Sequence, residues 1–185
     1  MRIAVLGWGS LIWNPRQLEI SGSFDEGGPL LRIEFGRVSR NGRLTLVIDE
    51  RNGTICPTSY AVSAFDDLSK ARENLRYREG MTHINGVGFV DLRSGDVSER
   101  AKERHPQAIP GITKWGEQNG YDAIVWTALA SNFNEVTGRE FSTDGAIEYL
   151  SALPSETFSL AAEYIRMAPP QVQTPVRAAF SARWP

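Results

Sequence analysis

Hydrophobic residues fall into short segments separated by glycine and proline, and the spacing within each segment predicts its secondary structure. Residues 2–6 carry aliphatic and β-branched side chains, and Gly7-Trp8-Gly9-Ser10 then breaks this pattern. Glycine and serine after a buried run are typical of a tight loop. We therefore expect the chain to open with a strand that leads directly into a glycine loop.

Three further hydrophobic segments are separated by Asn-Gly dipeptides. These dipeptides are Asn41-Gly42 and Asn52-Gly53, and Asn-Gly is strongly preferred in two-residue hairpin turns. The segments cover residues 31–37, 43–48 and 55–62. The pattern predicts an antiparallel meander of three strands.

A change of period after the meander predicts a helix. Apolar residues recur every three or four positions over residues 65–77, and Asp66 and Asp67 supply negative charge at the start. Alternating or continuous apolar runs then predict three more strands, of which the second is the weakest. These strands cover residues 86–92, 97–103 and 121–130.

The C-terminal part has helical periodicity. Helices are predicted over residues 144–153, 157–167 and 172–183. Because the strands cluster and do not alternate with helices, we expect an α+β fold and not a doubly wound one. The expected sheet is a small mixed or antiparallel one, strongly curved or closed into a barrel, with flanking helices. The 185 residues contain no linker rich in proline, glycine or serine, so we expect a single domain over residues 1–185 with a helical extension from about 141.

Charge, hydropathy and cysteine content indicate which partners and metals are not expected and which compartment is favoured. With 20 basic and 22 acidic residues the chain has no basic excess for phosphate contacts, and no nucleic-acid partner is expected. The longest nearly apolar run is far shorter than the roughly 20 residues of a membrane span, so no membrane partner is expected. Cys56 is the single cysteine and cannot form an internal disulfide, which favours the cytoplasm. Two histidines and one thiol make no zinc cluster, and we expect no metal.

The glycine loop is the most unusual segment of the chain. Glycines around an aromatic residue allow successive backbone N–H groups to point into one concavity, where they bind a carboxylate or phosphate. The alternative is an ordinary turn whose tryptophans fill the core. No lysine follows the glycines and their spacing is wrong for a dinucleotide, so both nucleotide-binding patterns fail. Ser10 lies outside a nucleophile-elbow pattern, and a serine hydrolase is not expected.

Four segments, in order along residues 2–134, resemble one known family. Gly7-Trp8-Gly9-Ser10-Leu11-Ile12-Trp13-Asn14-Pro15 is similar to the Tyr-Gly-Ser-Leu-x-Trp signature of the γ-glutamylcyclotransferase superfamily, particularly its glutathione-degrading ChaC branch. Residues 32–39 are similar to its second motif. Residues 74–80 resemble its Leu-Asp-x-x-Glu-Gly segment, and residues 130–134 its Thr-Asn-Tyr-like run.

The resemblance implies an enzyme that cyclises a γ-glutamyl compound to 5-oxoproline and releases the attached amine or peptide. The substrate's α-amine attacks its own side-chain carbonyl, so the reaction needs positioning and proton transfer but no cofactor. Glu79 corresponds to the catalytic acid/base of the family. The implied partner is a small γ-glutamyl molecule, bound by a monomer or homodimer. The implied substrate-binding residues are Gly7, Trp8, Gly9, Ser10, Leu11, Arg37, Ser39 and Phe133.

Several of these residues also have an ordinary structural interpretation. Glu79 lies among arginines, as on a charged helix end; Arg37 fits a sheet exterior, and Ser39 a strand end. Trp8 and Phe133 stand where the family usually has tyrosine, and its Asp is replaced by Arg76. The alternative function is therefore a catalytically silent small-molecule binding or regulatory domain with the same fold.

Overall fold

Six strands form one mixed sheet in the computed structural model, which describes Met1–Pro185. They are β1 (Ile3–Gly7), β2 (Ile20–Val38), β3 (Leu44–Ile48), β4 (Thr54–Ser63), β5 (Val87–Asp91) and β6 (Ala123–Thr127). The order across the sheet is β3-β2-β4-β1-β6-β5. β1 pairs antiparallel with β4 and parallel with β6. The α+β class and the mixed sheet are confirmed, whereas the sheet ends at β3 and β5 and is not closed.

Seven α-helices accompany the sheet. They are α1 (Leu68–Arg78), α2 (Glu99–Arg104), α3 (Ala108–Gln118), α4 (Phe133–Thr137), α5 (Thr143–Ser151), α6 (Ser155–Met167) and α7 (Pro175–Arg183). The predicted helices over residues 65–77, 144–153, 157–167 and 172–183 correspond to α1, α5, α6 and α7. Asp67 caps α1 by accepting a hydrogen bond from the amide of Lys70 at 2.9 Å. None of the helices combines the length and apolar character that a membrane span requires.

The predicted strand over residues 97–103 is wrong, because this segment forms α2. Ser98 is its N-cap and accepts from the amide of Ala101, and Glu99 lies in the first turn. Lys102 and Arg104 occupy the last turn, where positive charge is favourable. Only Val97 retains a strand contact, as a single bridge to Val90. The capping residues of α2 therefore outweigh the weak alternation of apolar and polar residues that predicted a strand.

β2, α3 and the short helix α4 extend beyond the predictions. β2 has 19 residues, and its polar, glycine-containing first half carries no alternating apolar pattern. Helix α3 was not predicted because Pro110 and Gly111 are both usual helix breakers. Pro110 lies in the first turn, where its missing N–H would have no partner within the helix.

The chain forms two compact units. Unit 1 comprises Met1–Leu31 and Pro57–Leu129, and unit 2 comprises Arg32–Cys56 and Ala130–Pro185. β2 and β4 each contribute residues to both units. The single domain expected over residues 1–185 stays a prediction.

In unit 1 the core lies between α1 and the strands β1, β5 and β6. All five residues of β1 are buried, as is typical of a strand with neighbours on both edges. Ala71 and Leu75 on α1 pack into this core with Ile3, Val5 and Val125. Fully burying each larger side chain stabilises the fold by about 1.5–3 kcal/mol.

In unit 2 the helices α5, α6 and α7 pack on one another, and α6 also packs on β3. Arg177 near the start of α7 donates to the carbonyls of Ala168, Pro169 and Val172. These carbonyls belong to the segment that follows the end of α6. A single guanidinium therefore fixes the connection between the last two helices.

His105 is a fully buried titratable group in unit 1. It follows α2, is 0% exposed, and its Nδ1 accepts from the indole N–H of Trp126 at 3.3 Å. Desolvation lowers the pKa of His105 from 6.5 to about 4. Between those values the unfolded chain binds a proton at this side chain that the folded state does not bind. The contribution to stability is therefore present at neutral pH and is lost as the pH falls.

We expect His105 to lower the free energy of unfolding by about 2 kcal/mol between pH 7 and pH 5. The His105→Gln variant should lack this contribution, whereas variant His83→Gln, which changes the exposed histidine, should keep it. Urea denaturation of the three proteins across this pH range measures the difference. Equal pH dependence in wild type and His105→Gln would contradict the burial argument.

Candidate functional site

The loop that follows β1 winds into a helical turn. The amide of Ile12 donates to the carbonyl of Gly9 at 3.0 Å, and the amide of Asn14 donates to that of Ser10 at 2.9 Å. The amides of Gly9, Ser10 and Leu11 precede these bonds and donate to no acceptor in the chain. The first N–H groups of a helical turn have no partner within it. This arrangement offers backbone donors for an anion, as the first interpretation of the loop requires.

Several side chains of the loop belong to the protein interior. Trp8 is 4% exposed, and Leu11 is 5% exposed and packs in the core of unit 1. A Cβ at Gly7 would lie 2.8 Å from Cε1 of Phe24 and 3.3 Å from Cγ1 of Ile12. Gly7 is therefore required by a close side-chain approach and not by a positive φ. The core-filling interpretation thus applies to Leu11 and Trp8, while the amides of Gly9, Ser10 and Leu11 have no acceptor in the chain.

Arg78, the last residue of α1, joins the helix to this loop. It is 8% exposed, and its guanidinium donates to the carbonyl of Asn14 at 2.6 Å and to Oγ of Ser10 at 3.3 Å. The same group donates to Oε1 of Glu79 at 2.5 Å. A buried arginine needs such partners because an unpaired charge away from water is costly. Ser10 and Glu79, 69 positions apart, are therefore held by one guanidinium.

Glu79 is the C-cap of α1. Its side chain is 20% exposed, so it is neither enclosed nor turned fully to solvent. A carboxylate is unfavourable beside the negative end of a helix, and the adjacent Arg78 offsets this cost. Oε1 is occupied by Arg78, whereas Oε2 has no hydrogen-bond partner in the chain. No bond joins Glu79 to the amides of Gly9–Leu11. One carboxylate oxygen is thus free to meet a ligand.

Arg78 was not among the predicted site residues. Its sequence signal is an arginine directly before the candidate acid in the last helical turn. That pattern is also usual for an exposed helix end, where cations are favourable. Burial and contacts to residues 64 and 68 positions earlier distinguish the two cases, and both are properties of the tertiary structure.

The remaining predicted substrate-binding residues lie in unit 2. The Arg37 guanidinium donates to the carbonyl of Ala130 at 2.8 Å, and Ser39 belongs to the hairpin turn between β2 and β3. Phe133 is 1% exposed, and its ring contacts those of Phe141 and Tyr149. Each residue has a structural contact of its own, and their role toward a substrate stays a prediction.

Two groups of unit 2, Glu34 and Cys56, are of residue types that often carry chemistry, but both are enclosed. Glu34 is 1% exposed, and its Oε1 accepts from the amide of Phe35 at 2.7 Å. Burial raises the pKa of Glu34 and also that of the Cys56 thiol, which is itself 1% exposed. Both protonated forms are therefore favoured, and neither group is open to a substrate.

Neither the clefts of the two units nor a metal-binding cluster adds residues to this site. One cleft of about 510 Å³ lies in unit 1 and another of about 260 Å³ in unit 2. Neither is lined by the loop at residues 7–14 or by Glu79. No group of three or more His, Cys, Asp or Glu side chains is placed to hold a metal ion.

Comparison of the chain with protein-family models, with curated proteins and with solved structures finds no match. The basis for a functional proposal is therefore the chemistry of the site together with the resemblance of its motifs.

The Gly7→Ala variant should lose about 1–3 kcal/mol of stability, because its methyl group would overlap the Phe24 ring. Gly111→Ala is the matched control: it lies in α3, where nothing is within 4 Å of an added Cβ. That control should be neutral or stabilised by up to about 1 kcal/mol. Urea denaturation measures both, and an undiminished stability of Gly7→Ala would show that the approach of Phe24 imposes no constraint.

Proposed function

We propose that this chain is a γ-glutamylcyclotransferase-type enzyme. It converts a γ-glutamyl compound into 5-oxoproline and releases the attached amine or peptide. The observation that carries the proposal is the Arg78 guanidinium, which contacts both Glu79 and the Ser10–Asn14 turn. Two motifs that resemble the family, far apart in sequence, are thereby connected in one unit.

The reaction requires one proton carrier. The α-ammonium of the substrate transfers a proton to the free oxygen of Glu79, and the resulting amine attacks the γ-carbonyl carbon. A bond forms between this nitrogen and carbon, which closes a five-membered ring. The bond from that carbon to the leaving nitrogen then breaks as Glu79 returns its proton to the leaving nitrogen. The ring nitrogen still carries a second proton, which Glu79 accepts and passes to the released amine, so that the products are the neutral lactam and an ammonium group. Protons balance, and no oxidant, reductant or cofactor enters these steps.

The loop amides have the chemistry to assist this reaction. Negative charge develops on the carbonyl oxygen during attack, and preorganised N–H donors stabilise such charge. The amides of Gly9, Ser10 and Leu11 lack acceptors in the chain. They are therefore candidates either for that oxygen or for the substrate's α-carboxylate. Arg78 acts as a positioning residue, because it holds the Glu79 side chain against the turn.

A family-like fold with a strongly curved sheet is part of the same proposal. The order of first strand, glycine loop, meander, helix and late strand supports it, although the sheet has two edge strands. We also propose a cytoplasmic location, consistent with a single buried cysteine that cannot form an internal disulfide. A small γ-glutamyl molecule is the partner, bound by a monomer or homodimer.

A silent binding domain is the second candidate. One oxygen of Glu79 is already paired with Arg78, and the carboxylate makes no bond to the loop amides. A ligand could therefore occupy the same donors without any proton transfer. The two candidates differ in whether Glu79 affects turnover or only binding.

The decisive variant is Glu79→Gln, which keeps the size of the side chain but removes its basic oxygen pair. Release of 5-oxoproline from a γ-glutamyl dipeptide, a γ-glutamylamine or glutathione should fall about 10²–10⁴-fold, measured by liquid chromatography with mass detection. Binding of the same compound, measured by calorimetry, should change little.

Glu73→Gln is the matched control, since Glu73 lies on the same helix, is exposed, and pairs with Arg76. It should retain wild-type turnover. Near-normal turnover by Glu79→Gln would sink the mechanism. Saturable binding without product formation by the wild type would favour the silent domain.

A further inference from the structure

The 510 Å³ cleft of unit 1 has an unusual balance of charge. Three cations and three acids line it: Arg72, Arg100, Lys102, Asp96, Glu99 and Glu103. The cleft has no net charge from these groups, so it does not attract one sign of ion by its overall field. Any preference must come from the groups that are not already paired.

Two pairs on α2 account for four of these charges. Lys102 lies 2.7 Å from Glu99, and the Arg100 guanidinium lies 3.6 Å from Glu103. Arg72 and Asp96 make no ion pair, either with each other or with another residue. One cation and one anion therefore remain unmatched in a single cleft.

The Arg72 guanidinium is held in place by a ring contact but has no hydrogen-bond acceptor in the chain. It lies over the ring of Phe89, 4.3 Å from the centroid, which is a favourable cation–π position. Its Nε is enclosed and has no hydrogen-bond partner. Burial also lowers the pKa of Arg72. The Nη1 and Nη2 groups also donate to no acceptor in the chain, and unlike Nε they keep accessible surface, so a ligand carboxylate can bind them.

Asp96 provides the opposite charge. Its Oδ2 accepts from Oγ of Ser94 at 3.0 Å, and the residue is exposed. A phosphate dianion would meet the three acids of the cleft, and a simple cation would meet Arg72. A molecule that carries one charge of each sign avoids both conflicts.

We propose that this cleft binds a free zwitterionic α-amino acid, with its carboxylate against Arg72 and its ammonium toward Asp96. The Phe89 ring supplies an apolar wall beside the bound molecule. This site is separate from the residues of the proposed cyclotransferase chemistry and does not depend on that activity.

Titration of the wild-type chain with L-alanine, followed by NMR of the arginine Nε–H signals, tests the site directly. We expect a saturable shift of the Arg72 signal. L-Alanine methyl ester, which lacks the carboxylate, and N-acetyl-L-alanine, which lacks the ammonium, should bind at least about tenfold more weakly. Acetate and inorganic phosphate serve as probes of anion binding alone.

The Arg72→Gln variant should weaken L-alanine binding about tenfold to a hundredfold in calorimetry. Arg93→Gln is the matched control, because Arg93 is exposed and does not line the cleft, and it should bind as the wild type does. Arg72→Lys keeps the charge without the planar donor pair and should lie between the two.

Absence of a saturable Arg72 shift with L-alanine would overturn the proposal. So would binding of acetate or phosphate as tight as that of L-alanine, since the zwitterion would then have no advantage. Equal loss of binding in Arg93→Gln would overturn it as well. If Arg72→Gln fails to fold, the wild-type titrations with L-alanine and its two derivatives still decide the matter.

Discussion

The parallel pairing of β1 with β6 is the interaction on which unit 1 depends. It joins Ile3–Val5 to Ala123–Val125, about 120 residues later, and places the start of the chain in the middle of the sheet. Both strands then have neighbours on each side and are buried almost throughout. Because β1 lies in the middle of the sheet, the glycine loop at its carboxyl end lies close to the C-terminal end of α1.

The buried charged and polar groups of the fold differ in whether hydrogen bonds or loss of charge compensates for their burial. Arg78 has three acceptors, and the connection it makes defines the candidate site. His105 and Glu34 are buried so deeply that their neutral forms are favoured, and they serve packing. Arg72 cannot become neutral and its guanidinium makes no hydrogen bond in the chain. Arg78 and Arg72 are therefore the arginines of α1 on which the two proposed sites rest.

Helix α1 thus serves two different surfaces of unit 1. Its C-terminal end presents Glu79 beside the turn at Ser10, and its middle presents Arg72 to the cleft formed with β5 and α2. Both positions depend on Ala71 and Leu75, whose burial fixes how the helix lies on the sheet. A rigid helix packed on a sheet is suited to hold charged groups in place.

Periodicity and turn residues determined much of the fold. The helix at residues 65–77, the hairpin turn at Asn41-Gly42 and the strands flanking it are local features, because spacing and turn chemistry act over a few residues. The same local signals failed at residues 97–103, where Ser98 capping prevailed, and at the first half of β2, which has no apolar alternation.

The sequence by itself determined which residues were candidates, namely the loop at residues 7–11 and Glu79, through motif order and residue type. Only the tertiary structure decided that one buried guanidinium holds Ser10 and Glu79 together, and that Arg72 lacks a hydrogen-bond acceptor. The physical reason is distance along the chain. A contact between residues nearly 70 positions apart, or the absence of one, depends on how helices and strands pack, and no local pattern encodes it.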